Sequence, residues 1–202
     1  MSEAKIGRVV AAALHQALAD TLPLRLDYYE GWLRPWHLRE GRVTQASFNA
    51  VLSFLRLEGD AWEPVMALAG RYAADWTFES LSGVRRLTLP RLPARLRLRA
   101  VLRLTARLVS ETAPQSRATM ALAIGGGQLD IGNSAFCDVR QPAVGPLCGF
   151  YVSALARFCE LVSLEARVSP VACRAMGEPH CLVVASVLQP AERPMNVAAL
   201  SR

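Results

Sequence analysis

Two cysteines held eight residues apart around a central glycine constrain this chain most: Cys173-Arg-Ala-Met-Gly177-Glu-Pro-His-Cys181. Candidate strands at residues 164–173 and 181–188 flank the glycine. The pattern predicts two strands joined by a glycine turn, which brings both sulfurs to one end of the strand pair. A third thiol, Cys148, arrives from a preceding helix. The three thiols therefore predict a soft-metal site.

Two other roles for the thiols stay open at this point. Cysteine is among the most buried residue types, so the pair can simply fill a core. Cysteines opposed across a hairpin can also approach disulfide distance. The N-terminus Met1-Ser-Glu-Ala-Lys-Ile shows no apolar region behind a basic start, and five cysteines cannot all pair. We therefore expect a reducing, cytoplasmic location.

Chain length and net charge limit the classes to which this protein can belong. A chain of 202 residues with 52% apolar content can bury a core without a metal. The 23 Lys and Arg against 17 Asp and Glu give a net charge of +6, nearly all of it from arginine. Arginine favours bidentate contacts with carboxylates or phosphates, so an acidic partner or ligand is predicted. No apolar run reaches the roughly 18 residues of a transmembrane helix.

Hydrophobic spacing predicts an α+β fold in which N-terminal helices pack with a small antiparallel sheet arranged as hairpin, helix, hairpin. Helices are expected over residues 6–18, 44–57, 62–78 and 147–163, and strands over 118–124 and 128–131 around three glycines. The aromatic segment between Tyr28 and His37 reads as a broken helix and pocket wall. We expect residues 1–40 to belong to the same domain or to a dimer seam, residues 41–189 to form the ligand-binding domain, and residues 190–202 to be a flexible tail.

Arginines recur at every fourth position from Arg95 through Arg99 and Arg103 to Arg107, which places them in one stripe of a helix. The stripe is either a solvated face or a docking surface for an acidic protein or for ligand carboxylates. Nucleic acid is not an expected partner, because no helix-turn-helix, zinc knuckle or aromatic RNA-binding motif accompanies the arginines.

The order of N-terminal helices, glycine hairpin, Cys148-led helix and Cys173-x3-Gly177-x3-Cys181 resembles the 4-vinyl-reductase-type domain family. That family is related to TRAPP vesicle-tethering subunits and to the sensor domains of phenol-responsive transcription activators. The resemblance implies a TRAPP-subunit-like fold and a zinc ion on Cys148, Cys173 and Cys181. The family's fourth ligand is a carboxylate, but Pro170 stands at that position here. A fourth ligand would then be one of four candidates: Cys137, His180, Glu165 or water.

Within the family, the stand-alone size and the segment Gly145-Pro-Leu-Cys-Gly-Phe-Tyr151 look like the BchJ proteins of bacteriochlorophyll synthesis. This resemblance implies a homodimeric carrier or accessory protein for Mg-porphyrin and chlorophyllide precursors, with biosynthetic partners such as Mg-chelatase or a methyltransferase. Arginines would meet the propionates of a tetrapyrrole, and aromatic rings would meet its macrocycle. The candidate ligand contacts are Arg95, Arg99, Arg103, Trp32, Trp36, Trp76 and Phe150.

Three alternatives stay open beside the carrier. The first is a sensor domain for a small aromatic or hydrocarbon ligand with the same zinc site. The second is a 4-vinyl reductase that draws on an external reductant; we disfavour an autonomous enzyme, because the chain has no dinucleotide fingerprint, recognisable flavin site or iron–sulfur spacing. The third is a dimer that tethers partners through its first helix.

Overall fold

A computed structural model describes residues 4–40, 43–139 and 143–188 of the 202-residue chain. In these ranges the chain forms eight helices and four strands. The helices are α1 (Arg8–Thr21), α2 (Leu26–Leu33), α3 (Pro35–Glu40), α4 (Gln45–Leu57), α5 (Trp62–Glu79), α6 (Gly83–Thr88), α7 (Ala94–Thr112) and α8 (Gly149–Leu161). The strands are β1 (Arg117–Ala123), β2 (Gly126–Gly132), β3 (Ala166–Ala172) and β4 (Cys181–Val187). No helix in the described ranges has the length and apolar character needed to span a bilayer.

Local signals mark the start of α4 and the break in the aromatic segment. The Thr44 hydroxyl accepts a hydrogen bond from the Ser47 N–H at 3.2 Å and so caps the start of α4. The aromatic segment breaks at Arg34, whose φ of 46° lies in the left-handed region between α2 and α3. The prediction of a broken helix there agrees with this geometry, although Gly31 lies inside α2 rather than at the break.

The four strands form one antiparallel sheet in the order β1-β2-β4-β3. The β1–β2 hairpin turns at Gly125, whose φ of 77° suits glycine, and pairs Ala123 with Gly126. On β2 and β4 alternate residues are buried, because one face of the sheet packs against helices α7 and α8. The other face stays open.

The core is one continuous cluster that runs from Ile6 in the N-terminal segment to Ala185 in β4. Its central helix pair is α5 against α8. The two backbones approach closely at Gly70, where a Cβ atom would lie 2.3 Å from the Phe150 carbonyl oxygen. Any larger residue at position 70 would therefore push the helices apart.

The predicted α+β class with a small antiparallel sheet is confirmed. The boundaries at residues 40 and 189 stay predictions, and residues 190–202, expected to be a flexible tail, lie outside the described residues.

Candidate metal centre

Four cysteines from four different elements converge at one end of the sheet. Cys137 ends a single helical turn that follows β2, and Cys148 is the residue that precedes α8. Cys173 follows β3, and Cys181 begins β4. All four side chains are buried. We call these four residues the thiol cluster.

A short turn brings Cys173 and Cys181 together. After β3 the chain makes one helical turn over Arg174–Met176, and Gly177 then adopts a φ of 97°, which lies in the left-handed region. The reversal lets β4 pair back onto β3, with Ala172 opposite Leu182. The predicted glycine turn is therefore present, and both sulfurs point into the same buried space.

The sulfur–sulfur distances match metal coordination better than disulfide bonding. The Sγ atom of Cys137 lies 3.6 Å from that of Cys173 and 3.5 Å from that of Cys181. The three atoms all lie within 4.8 Å of one another. Tetrahedral zinc with Zn–S bonds of about 2.3 Å has S···S edges of about 3.8 Å, whereas a disulfide needs about 2.05 Å. Cys148, which the sequence predicts as one of three ligands, is not part of this set of three sulfurs, but its pKa is influenced by the thiols of Cys137 and Cys181.

Backbone amides already stabilise negative charge on two of the sulfurs. The Leu147 N–H donates to Sγ of Cys173, and the Arg174 N–H donates to Sγ of Cys181, each at 3.3 Å. The pKa of both thiols is lowered, in each case chiefly by hydrogen bonding to Cys137. Lowered pKa values favour the thiolates that a metal ion requires.

The other two thiols of the cluster hold their protons more firmly. Hydrogen bonds to the neighbouring thiols and burial raise the pKa of Cys137. The hydrogen bond with Cys137 lowers the pKa of Cys148, but that with Cys181 and burial outweigh it, so the net shift is upward. A position before a helix favours the thiolate, but burial and the neighbouring thiols outweigh this effect at Cys148.

The Arg56 side chain lies beside the cluster. The Arg56 guanidinium donates to the Phe136 carbonyl at 3.2 Å, directly before Cys137, and lies 5.3 Å from the centre of the Trp62 ring. Burial lowers the pKa of Arg56, and the charges of Cys137 and Asp138 oppose that shift. Its Nε–H has no hydrogen-bond partner in the ranges that the structure describes.

Of the proposed fourth ligands, the structure brings Cys137 into contact with the other thiols. His180 is instead half-exposed, with Nε2 3.5 Å from Asp130. Glu165 and Pro170 are both exposed, the first just before β3 and the second on that edge strand. Cys159, the fifth cysteine, is buried near the other end of α8. Sequence spacing alone gave no reason to prefer Cys137 over the other candidates.

The seven candidate ligand contacts are spread over five helices. Trp32 packs against Phe54, and Trp76 stacks on Tyr72 at 5.7 Å. Phe150 is buried and stacked on Phe136 at 4.4 Å. Within the described ranges, no recorded ring contact or hydrogen bond joins any two of the seven. The remaining four are exposed, three of them on α7: Trp36, Arg95, Arg99 and Arg103.

Comparisons with known proteins show the fold. No protein-family model and no curated protein matches the chain. An H-NOX protein from S. oneidensis in the Fe(II)NO ligation state matches with a TM-score of 0.53 and 12% identity, over 91% of this chain and 100% of that one. The NMR structure of the SO2144 H-NOX domain from Shewanella oneidensis in the Fe(II)CO state gives a TM-score of 0.54 and 11% identity, over 91% and 99%.

The phenol-responsive sensory domain of the transcription activator PoxR, solved with phenol, is 20% identical, with a TM-score of 0.46, over 71% of this chain and 74% of that one. At 11% and 12% identity, the two H-NOX structures show that this chain shares their fold. The resemblance to the 4-vinyl-reductase-type family, and to the BchJ proteins within it, stays a prediction.

Proposed function

We propose that this protein is a small-molecule-binding sensor module held in shape by a zinc ion on Cys137, Cys148, Cys173 and Cys181. The observation that carries this proposal is the approach of three buried sulfurs, those of Cys137, Cys173 and Cys181, to within 4.8 Å of one another, with the buried Cys148 as the fourth candidate ligand. The H-NOX structures, which share the fold, were solved with Fe(II)-bound NO or CO, so the fold is compatible with small-molecule binding.

Zinc suits the donor set for two reasons. Thiolates are the ligands that zinc takes in closed structural sites, and amide N–H donors already point at Cys173 and Cys181. Four thiolates around Zn²⁺ carry a net charge of −2, which the nearby Arg56 guanidinium partly balances. A four-thiolate set leaves no open position for a substrate, so the ion would tie the turn after β2, the start of α8 and the β3–β4 turn together.

The cleft beside the cluster is our candidate ligand site. It has a volume of about 480 Å³, and its walls include Arg56, Trp62 and Leu147. This volume lies within the usual range of about 300–1,000 Å³ for small-molecule sites. The Arg56 guanidinium in the wall can meet an anionic or hydroxyl oxygen, and the Trp62 ring can pack against a flat apolar body. We therefore propose small aromatic compounds with one acidic group as ligands.

Two wall residues link this cleft to the thiols. Leu147 donates its N–H to the Cys173 sulfur, and Arg56 donates to the carbonyl that precedes Cys137. A ligand that moves either wall would disturb the metal centre, which is the behaviour expected of a sensor.

Calorimetric titration with phenol, benzoate and Mg-protoporphyrin tests this assignment. We expect benzoate or phenol to bind, and Arg56→Met to weaken binding by about ten-fold or more, while the exposed Arg25→Met leaves it unchanged. Equal affinity of wild type and Arg56→Met for the ligand would exclude the cleft as the binding site. The tetrapyrrole carrier has less support, because the arginines and aromatic rings proposed to bind the macrocycle are scattered. If Mg-protoporphyrin binds and phenol and benzoate do not, the tetrapyrrole carrier becomes the better-supported function.

A further inference from the structure

One surface of the molecule combines unpaired arginines with exposed aliphatic side chains. Residues 80–110 contain eight arginines and no Asp or Glu. Two of these arginines are held by the fold: Arg97 donates to the carbonyls of Val162 and Ser163, and Arg107 pairs with Glu111. The remaining charge faces solvent.

Five exposed arginines make no ion pair with any residue in the ranges that the structure describes. We call this set the arginine surface, and it comprises Arg85, Arg86, Arg95, Arg99 and Arg103. Five unneutralised cations on two successive helices produce a positive field that extends about 10 Å at 0.1 M salt. Such a field attracts an extended anionic partner rather than a single carboxylate.

Aliphatic side chains are interleaved with these arginines. On α6, Val84 is 73% exposed and Leu87 is 65% exposed, and on α7 Leu96 is 47% exposed. At 3.6 residues per turn, Leu96 lies about 20° beyond Arg103, at the edge of the arc of α7 that carries Arg95, Arg99 and Arg103. The same surface thus offers apolar groups for burial as well as charge.

The tip of the β1–β2 hairpin extends the apolar part. Ile124 is fully exposed there. It lines a mostly apolar groove of about 310 Å³ together with Arg95 and Leu98 of α7. The hairpin tip and the first turns of α7 therefore form one continuous face.

We propose that this face docks onto an anionic lipid bilayer. The guanidinium groups complement lipid phosphates, and Val84, Leu87, Leu96 and Ile124 can enter the boundary between headgroups and acyl chains. Single-stranded nucleic acid and protein partners usually add aromatic side chains for stacking or anchoring, but residues 79–135 contain no Phe, Trp or Tyr. A mixture of aliphatic and arginine side chains fits a lipid interface better.

Co-sedimentation with vesicles tests the proposal on the full chain. We expect wild type to bind phosphatidylcholine vesicles containing phosphatidylglycerol and to bind pure phosphatidylcholine far more weakly. Each arginine near an anionic bilayer contributes roughly five-fold to the binding affinity. Arg95→Glu/Arg99→Glu should therefore weaken vesicle binding by about 25-fold or more. The control Arg8→Glu/Arg117→Glu makes the same charge change at exposed sites outside the arginine surface, and we expect it to bind as wild type does.

The aliphatic residues distinguish a bilayer from any other polyanion. We expect Leu87→Gln/Leu96→Gln to weaken vesicle binding by roughly ten-fold and to leave retention on heparin unchanged. The proposal is overturned if this variant binds the anionic vesicles as wild type does, if the two charge-reversed variants lose binding equally, or if wild type does not distinguish the two lipid compositions.

Discussion

The thiol cluster and the arginine surface are both concentrations of one chemical group, but the fold treats them in opposite ways. The cysteines come from separate elements and are buried, three of their sulfurs lie within contact distance, and backbone amides point at two of them. The arginines are periodic in sequence and exposed, and the chain neutralises few of them. Convergence from separate elements indicates an internal site that binds a small ion, whereas dispersion along helices indicates a surface for a large partner.

Removal of one clustered thiol should give the largest effect. We expect Cys181→Ser to lose bound zinc and to lower the free energy of unfolding by at least about 4 kcal/mol, because loss of a metal is among the most destabilising single changes. Urea unfolding with metal analysis checks this. Cys159→Ser is the matched control, since it removes a buried thiol outside the cluster. It should retain zinc and cost about 1–3 kcal/mol. If both variants lost the same free energy of unfolding, the thiol cluster would be part of the ordinary hydrophobic core and not a metal site.

The isolated thiol should respond to alkaline pH. Burial, and then the charge of Glu160, raises the pKa of Cys159 from 9.0 to about 12. The folded state therefore keeps this proton more tightly, so its contribution is complete below about pH 9 and disappears as the pH rises towards 12. Relative to wild type, Cys159→Val should gain about 2–3 kcal/mol of stability between pH 8 and pH 11. If the free energies of unfolding of the two proteins changed with pH in parallel, this would contradict the argument that burial raises the pKa of Cys159.

Substitution of Arg97 should have an intermediate effect on stability, because this arginine is hydrogen-bonded to the backbone, unlike its exposed neighbours on α7. Its guanidinium bonds the carbonyls of Val162 and Ser163, which are otherwise unsatisfied at the end of α8. We expect Arg97→Ala to cost about 1.5–3 kcal/mol, measured by urea unfolding, because hydrogen bonds from a charged group are lost.

Arg103 should give the smallest effect. It is exposed on the same helix, and Arg103→Ala should change stability by no more than about 0.5 kcal/mol. A loss as large as that of Arg97→Ala would show that Arg103 supports the fold and would weaken its assignment to a docking surface.

Periodic patterns in the sequence predicted the elements well. The apolar spacing before Leu57 and the glycines near position 125 gave helix α4 and the β1–β2 hairpin within a few residues, because burial of one face dictates such patterns. The pairing of Cys173 with Cys181 also followed from sequence, since only a tight turn separates them.

Long-range placement was harder to predict. Cys137 reaches the cluster through an irregular turn after β2, a position that no spacing rule specifies. The absence of a carboxylate at Pro170 indicated that another ligand was needed. Sequence alone disfavoured only His180, because neighbours on a strand point to opposite faces, and it left Cys137, Glu165 and water open. The proposed pocket aromatics illustrate the same difficulty: Phe150 lies on a helical face that packs into the core, and the periodicity of a helix does not distinguish a core face from a ligand pocket.

Native mass spectrometry of the wild-type chain and of Cys137→Ser, with Cys159→Ser as the control, tests the central claim most directly. We predict one zinc ion per chain in wild type and in Cys159→Ser, and metal loss in Cys137→Ser under the same mild conditions. A wild-type protein that carries no metal after purification and reconstitution with zinc, or a Cys137→Ser variant that holds zinc as firmly as wild type, would contradict the four-cysteine centre.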